Sequence, residues 1–276
     1  MKVWVDGQLR DESEATVSAF DHGLTVGDGV FETAKVVGGE PFALSRHLRR
    51  LARSAAGLGL MVSAAASVRE AVDAVLGANA DQLAAPHRLR ITLTGGPGPL
   101  GSDRGTAEPT LVVALARMKP WPATAKVVVV PWLRNERSPT AGLKTTSYAE
   151  NVVALAWAHE QGAAEALFAN TRGELCEGTG SNVFVVLGGQ PLTPPLTSGC
   201  LAGVTRELVL EWTDAEERDL PLDTIEAADE VFLTSSTRDV QAVHAVGEQR
   251  LPGAPGPVTR EVTRIFAERA AAEVDP

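Results

Sequence analysis

Lys144 is the residue with the most chemistry around it in this chain of 276 residues. It follows the short, flexible run Ala141-Gly142-Leu143 and precedes Thr145, Thr146, Ser147 and Tyr148, whose hydroxyls are expected to surround its amine. A lysine at the edge of a core is held where its pKa can fall, and a neutral amine can form a Schiff base. Other segments carry groups that a cofactor bound at such a lysine would use. Glu177 lies in the glycine-rich stretch Glu177-Gly-Thr-Gly-Ser-Asn182, a good place for a carboxylate to meet a ring nitrogen. Its charge would keep that nitrogen protonated and strengthen an electron sink. Gly203-Val204-Thr205 opens a helix after a glycine, so free N–H groups and a hydroxyl converge there as a phosphate site. Arg50 could add a cationic fork to the same phosphate, and the hydroxyls of Thr234, Ser235 and Ser236 add donors. Taken singly, each feature has a plainer meaning. Lys144 would be a surface lysine before a helix, Glu177 a solvated turn residue, Gly203 to Thr205 an ordinary helix start and Arg50 a solvated helix face. His22 reads as a structural hydrogen-bonder, and Cys176 and Cys200 as inert thiols.

Composition narrows the classes of function. The net charge of -10 is diffuse, so there is no basic stripe for nucleic acid and no attraction to an anionic membrane surface. No apolar run reaches the length of a membrane span, and Met1-Lys-Val-Trp-Val-Asp-Gly7 reads as a strand and turn rather than a secretory leader. The two cysteines have neither metal spacing nor a disulfide framework, and no HxxxH or CxxC occurs. These features predict a cytoplasmic, metal-free protein with a small-molecule substrate.

The elements that must position these groups are legible from punctuation and period. A strand over Lys2 to Val5 ends in the turn Asp6-Gly7. Glycines in the loop from Asp21 to Gly29 predict tight turns and close backbone approach. The alternating strand Val30 to Val37 turns at Gly38-Gly39 into a hairpin. Ser45 is a candidate N-cap for a helix burying Leu44, Leu48, Leu51 and Ala55, and a second helix covers about Val68 to Leu76. Strands over residues 88–94 and 110–116 flank a glycine-rich loop from Gly95 to Gly105. Met118 to Pro122 breaks the pattern and serves as a linker between an N-terminal α/β domain, residues 1–117, and a C-terminal domain, residues 123–276. In the second domain, a helix after Tyr148 is expected to bury Val152, Val153, Leu155, Ala156 and Trp157, and to end near Gln161-Gly162. Strands over 126–130, 166–169 and 183–187 follow the same logic, as do a helix over 204–212, a strand over 229–237 and a last helix over 258–271. The class is α+β.

Six stretches together resemble the fold type IV pyridoxal-phosphate enzymes of the class IV aminotransferase family. They are Gly27-Asp-Gly-Val-Phe-Glu-Thr33, His47-Leu-Arg-Arg50-Leu-Ala-Arg-Ser-Ala55, Gly142-Leu-Lys144, Glu177-Gly-Thr-Gly-Ser-Asn-Val-Phe184, Leu201-Ala-Gly-Val-Thr-Arg206 and Ala228-Asp-Glu-Val-Phe-Leu-Thr-Ser235. They occur in the family's order over most of the chain. The family includes branched-chain aminotransferases, D-amino-acid transaminases and 4-amino-4-deoxychorismate lyases. The resemblance implies a D-amino-acid aminotransferase-like fold of two domains, the C-terminal one binding pyridoxal 5'-phosphate. It also implies a homodimer with active sites at the domain junction. Lys144 would be the Schiff-base lysine and proton shuttle, and Glu177 would pair with the pyridine nitrogen. Arg50, Gly203, Val204 and Thr205 would hold the phosphate, helped by Ser235 and Ser236, and Tyr148 would lie near the phenolic oxygen.

The resemblance implies a choice of reactions. A transaminase returns the proton to the cofactor carbon and releases a keto acid. A lyase expels a leaving group, which for aminodeoxychorismate is pyruvate, and aromatisation to p-aminobenzoate drives the step. Gly27 to Val36 looks like the lyase version of its strand, with Thr33 where lyases carry a threonine that assists proton transfer to the leaving group. The compact length, without a long C-terminal tail, also fits. Two positions depart from the lyase pattern: Thr94-Gly95-Gly96 stands where an arginine is frequent, and Ser147 replaces an asparagine. Arg104 or Arg90 would then have to meet substrate carboxylates. The expectation is aminodeoxychorismate lyase; the alternatives are an aminotransferase for branched-chain, D- or other small amino acids, and a non-catalytic cofactor-binding homodimer.

Overall fold

The computed structural model describes residues 1–60, 65–251 and 253–276, and these divide into two units that do not follow the chain. The first unit holds residues up to Lys119 together with Leu143–Tyr148 and Val274–Pro276; the second holds Pro120–Gly142 and Ala149–Glu273.

The first unit contains β1 (Lys2–Val5), β2 (Gln8–Asp11), the short α1 (His22–Thr25), β3 (Gly29–Val37), β4 (Glu40–Pro41), α2 (Leu44–Gly57), α3 (Ala65–Ala78), β5 (His87–Thr94) and β6 (Leu111–Arg117). Its strands form one antiparallel sheet in the order β2-β1-β6-β5-β3-β4. The two-residue period sends Val30, Ala34 and Val36 of β3, with Leu89, Ile91 and Leu93 of β5, to one face. There they pack on Leu44, Leu51 and Ala55 of α2 and on Val68, Val72 and Val75 of α3. Phe31 and Thr33 take the other face, directly opposite Thr92 and Arg90 of β5. The expected hairpin forms at Gly38-Gly39, both at positive φ.

Residues 143–148 run antiparallel to the start of β3. Phe31 N donates to Lys144 O at 3.0 Å, and Thr146 N donates to Gly29 O at 2.8 Å. Glycine is required there: a Cβ on Gly29 would lie 2.9 Å from Thr146 Oγ1 and 3.0 Å from Leu93 O. The hydroxyls of Thr146 and Ser147 do not surround the amine as expected. Both donate to Gly27 O at 2.9 Å, because their task is to hold this segment to the glycine loop.

Ser45 is not the N-cap of α2. That position falls to Ala43, which is left-handed (φ 54°) and supplies no side-chain cap. A carboxylate distant in sequence does the work: Asp275 accepts from Ser45 N at 2.8 Å and from Ser45 Oγ at 2.5 Å, while Ala43 N donates to Val274 O.

The second unit contains β7 (Thr124–Arg134), α4 (Ala149–Glu160), β8 (Glu165–Asn170), β9 (Leu175–Gly178), β10 (Asn182–Leu187), β11 (Gln190–Thr193), α5 (Val204–Trp212), β12 (Glu216–Glu217), β13 (Glu230–Ser235), β14 (Asp239–Val246), β15 (Gln249–Arg250) and α6 (Pro257–Ala272). They build a mixed sheet in the order β12-β11-β10-β13-β14-β7-β8-β9, with β15 on β14. Its core joins Val127, Leu167, Leu175, Val183, Val185, Leu233 and Val243, and Phe184 stacks on Phe232 at 4.7 Å. Helices α5 and α6 meet through Trp212 and Phe266.

The buried face of α4 differs from expectation. Asn151, Ala154 and Ala158 are buried against the β7–β8 side, whereas Val152 and Val153 are 63% and 54% exposed. Consecutive residues point 100° apart on a helix, so a continuous apolar run cannot all face inward, and the small alanines win the close approach. The fold class is α+β, as expected. No helix among the described residues is long and apolar enough to cross a membrane.

Candidate active site

In the first unit, β3 presents opposite chemistries on its two faces. Glu32 points into the core, fully buried, between two residues of α2. Arg50 donates to it through Nε and one terminal nitrogen, both at 2.7 Å, and His47 Nδ1 lies 2.6 Å from Oε2. Burial alone would raise the Glu32 carboxyl; the charge and hydrogen bonds of Arg50, with help from His47, overcome this and hold it far below the usual carboxylate range. Burial pushes His47 down, and the pairing with Glu32 only partly opposes it. The imidazole is therefore neutral, and since a carboxylate only accepts, its proton is on Nδ1.

The other face carries Phe31 as a platform. Lys144 Nζ lies 4.5 Å from its ring centroid, Arg90 Cζ lies 3.3 Å from it, and Tyr148 meets it edge-on at 5.2 Å. Lys144 Nζ is 5.9 Å from the Tyr148 ring. Its backbone is fixed by the bond from Lys144 N to Ser54 Oγ at 3.1 Å. Arg90 is pulled down to about 10 by burial, with Tyr148 partly restoring it. Thr33 is the cross-strand partner of Arg90, so its side chain shares this face. Arg104 is engaged elsewhere: it clasps Asp28 through Nε at 2.7 Å and Nη2 at 2.5 Å, and donates to Gly59 O.

In the second unit, Glu177 lies within β9, paired with Phe168 of β8, rather than in the turn. Its Oε2 accepts from Leu201 N at 2.9 Å, and its Oε1 lies 3.5 Å from Arg134 Nε. Asn182 grips the same residue from the other side, donating to Leu201 O at 2.8 Å. Two residues on, Gly203 is the N-cap of α5, and no side chain caps that helix. Val204 and Thr205 are buried in its first turn. A Cβ on Gly203 would run into Asn182 Oδ1, so only glycine lets this helix start lie against Asn182. Thr234 is the cross-strand partner of Asn182, and its buried Oγ1 has no hydrogen-bond partner among the described residues. Ser235 Oγ accepts from Arg238 N at 3.3 Å, and Ser236 follows it, half-buried. Among the described residues no group of His, Cys, Asp or Glu could hold a metal ion.

The chain matches the family model for amino-transferase class IV over residues 29–246. It belongs to the class IV aminotransferase family. Among its relatives is a Methanocaldococcus jannaschii protein with the provisional name branched-chain-amino-acid aminotransferase, 30% identical over 97% of this chain and 96% of the relative. A D-alanine aminotransferase of Bacillus licheniformis is 31% identical over 95% and 94%, and an aminodeoxychorismate lyase of Bacillus subtilis is 30% identical over 96% and 93%. The pyridoxal-phosphate-bound form of a hypothetical aminotransferase from Mycobacterium tuberculosis superposes with a TM-score of 0.87, at 26% identity and over all of both chains. The fold is that of the type IV transaminases, and as a member of this family the chain is a pyridoxal-phosphate-dependent enzyme.

The residues present fit that cofactor. An uncapped helix start beside an orphaned, buried hydroxyl suits a phosphate, and a carboxylate held by an amide and flanked by a guanidinium suits a protonated ring nitrogen. Of the residues singled out in the sequence, Lys144, Thr33, Arg90 and Tyr148 gather about Phe31, and Arg50 is on α2 of the same unit. Glu177 and Gly203 to Thr205 come together through Leu201 and Asn182. Sequence reasoning missed Phe31, Glu32 and His47 as individuals, although all three lie in the stretches that carry the resemblance. It also missed Arg134, for which no local signal exists.

Proposed function

We propose that this chain is a 4-amino-4-deoxychorismate lyase. The observation that carries the reading is the pairing of Thr33 with Arg90 on the face of β3 that holds Phe31 and Lys144. A carboxylate-binding guanidinium beside a proton-carrying hydroxyl is what expulsion of pyruvate needs. Arg90 is the better candidate for a substrate carboxylate, because Arg104 is already clasped by Asp28.

When bound, pyridoxal phosphate supplies the sink for the electron pair left behind when a proton leaves the carbon beside the substrate amine. Lys144 would hold the cofactor, and its Nζ would take that proton. Arg90 orients a substrate carboxylate by a charge-assisted bond. Thr33 Oγ1 would relay the proton taken by Lys144 to the methylene carbon of the enolpyruvyl group as the bond from its ether oxygen to the ring carbon breaks, giving pyruvate and p-aminobenzoate. Glu177, held by Leu201 N and flanked by Arg134, would pair with the ring nitrogen. The amides of Val204 and Thr205 and the Thr205 hydroxyl hold the phosphate, with Gly203 allowing their approach and Ser235 and Ser236 nearby. Arg50 adds its charge while braced by Glu32.

A second reading, an aminotransferase for D- or branched-chain amino acids, is favoured by the names of the M. jannaschii and B. licheniformis relatives. The test is to mix the cofactor-loaded protein with aminodeoxychorismate and follow p-aminobenzoate and pyruvate together. Catalytic appearance of both in equal amounts is expected. No product, with conversion of the cofactor to its amine form by D-alanine or a branched-chain amino acid, would replace the lyase by the aminotransferase.

The reading includes a homodimer. Trp132 and Leu133 on β7 and Val152 and Val153 on α4 are exposed apolar side chains, and Arg134 joins their elements by donating to Glu150 and Asn151. Sedimentation at twice the chain mass is expected, and a monomer would remove this part of the proposal.

A further inference from the structure

A buried polar chain in the second unit is not used by any step above. Glu165, the first residue of β8, is 1% exposed and lies under the turn that joins β9 to β10. Its Oε1 accepts from Thr179 N at 3.0 Å and from the Thr179 hydroxyl; its Oε2 accepts from Ser181 Oγ at 3.2 Å and pairs with Arg238 at 2.8 Å. Arg238 is itself enclosed, lying over the Trp121 ring at 4.2 Å and reaching Gln241. The turn is made for this carboxylate: a Cβ on Gly178 would strike Ser181 Oγ and come within 3.3 Å of Glu165 Cδ.

The turn leads directly to Glu177 of the proposed cofactor site on one side and, on the other, to Asn182, which lies against Gly203. Glu177 precedes Gly178, and Asn182 follows Ser181. From the other side, Asn151 Nδ2 donates to Thr179 O at 2.5 Å, and Asn151 Oδ1 accepts from both terminal nitrogens of Arg134, whose Nε faces Glu177. The connections thus run from Arg238 through Glu165, Thr179, Asn151 and Arg134 to Glu177. With the Ala166 amide, which also donates to Oε1 at 3.2 Å, this buried carboxylate has five bonded donors and is a rigid anchor, because any movement of the turn would strand a charge out of reach of water.

We propose that Glu165, braced by Arg238, is a positioning residue that sets where Glu177 presents its carboxylate to the cofactor and where Asn182 holds Leu201 and the start of α5, an inference that rests on the cofactor role proposed for Glu177. Replacing the carboxylate by an amide of the same shape keeps the volume and one acceptor. It turns the second acceptor into a donor facing Ser181 and Arg238. The turn then relaxes, and Glu177 loses its register against Leu201 N.

The test compares Glu165→Gln, Arg238→Met and Thr179→Ala with Glu177→Gln, all prepared without cofactor and titrated with pyridoxal phosphate. Two quantities are read in each: the dissociation constant, and the pH midpoint of the bound cofactor's visible absorption. Circular dichroism melts monitor folding. Glu165→Gln is expected to weaken binding about tenfold, the weight of one charge-assisted hydrogen bond. It should move the midpoint in the same direction as Glu177→Gln but less far, and add nothing in the double variant. Arg238→Met is expected to behave alike, with Arg238→Lys partly restoring it. If Glu177→Gln moves the midpoint while folded Glu165→Gln and Thr179→Ala leave both quantities unchanged, the inference is overturned and Glu165 is a purely structural anchor. If Glu177→Gln itself moves nothing, the cofactor role of Glu177 fails and takes the inference with it. Should Glu165→Gln fail to fold, Thr179→Ala, which removes one hydroxyl, decides by the same two readouts.

Discussion

Glu32 accepts Nε and Nη2 of Arg50 in parallel at 2.7 Å, at a point where neither side chain reaches open solvent. The fork-on-fork geometry fixes the guanidinium of α2 to β3, and His47 completes the set from the next turn of the same helix. Removing one member strands the others. Glu32→Gln is expected to lower stability by about 3–5 kcal/mol, the usual result of breaking a buried ion pair on one side. Urea unfolding measures it, and a loss below about 1 kcal/mol would mean that the trio is not coupled.

His47 makes the same cluster sensitive to pH. Unfolded, the imidazole binds a proton near 6.5; folded, burial lowers that value, and the nearby charges of Arg50 and Lys144 add to the effect. Between the two values the unfolded chain binds more protons, so stability is full above 6.5 and falls as pH drops through the window below it. The slope reaches about 1.4 kcal/mol per pH unit at most, for one proton. Glu32 adds nothing to the slope well above 4.5, where its carboxyl is ionised in both states, and its own loss of stability begins only as pH falls below that value. His47→Asn keeps a donor to Glu32 without titrating. The stability difference between wild type and this variant should therefore slope below pH 6.5 and be flat above it. A flat difference throughout would mean that folding does not lower the proton affinity of His47.

The two arginines proposed for substrate carboxylates should separate. Arg90 lies on the Phe31 ring, while Arg104 is 38% exposed and clasped to Asp28. Arg90→Met is expected to reduce kcat/KM about tenfold to a hundredfold, the worth of a charge-assisted bond. Arg104→Met should change it less than about threefold. The reverse order in steady-state kinetics would mean that the clasp opens on substrate binding.

How far the sequence reveals this arrangement depends on how local each cause is. The Gly38-Gly39 hairpin, the start of α5 after Gly203 and the span of α6 follow from turn residues and periodicity within a few positions. Glu32 and Arg50 are 18 residues apart on different elements, so their bond depends on tertiary packing. The capping of α2 by Asp275 spans 230 residues, so the sequence around α2 offers only the nearby Ser45 for that role. On α4, size overrides apolar character: Ala154 and Ala158 are inside, and the larger Val152 and Val153 are outside. Lys144 is prominent because of its neighbours in sequence, yet two of those hydroxyls serve Gly27.

The cysteines should be inert in the native protein. Burial, with the charge of Glu177 nearby, pushes Cys200 up to about 11 and Cys176 higher still. At pH 8 only about one Cys200 in a thousand is then a thiolate, and access is closed as well. Iodoacetamide labelling of native protein should be at least about a hundredfold slower than after unfolding in guanidinium. Labelling at the same rate in both states would mean that the Cys176–Cys200 region opens readily.

Gly203 offers the sharpest test of the proposed phosphate site, because its backbone is ordinary. With φ −67° and ψ 134°, any residue could adopt its conformation, so a substitution is penalised by contact alone. The contact is with Asn182 Oδ1, which occupies the place of a Cβ. Gly203→Ala must therefore push α5 or Asn182 aside, and the amides of Val204 and Thr205 move with the helix start. Affinity for pyridoxal phosphate is expected to fall about tenfold or more, since a charge-assisted bond to phosphate is lost or lengthened. Protection of the melting temperature by inorganic phosphate should fall in parallel. Asn182→Ala makes room, so adding it to Gly203→Ala should recover part of the affinity, even though Leu201 O loses its donor. An unchanged dissociation constant in folded Gly203→Ala would show that the phosphate binds away from the start of α5.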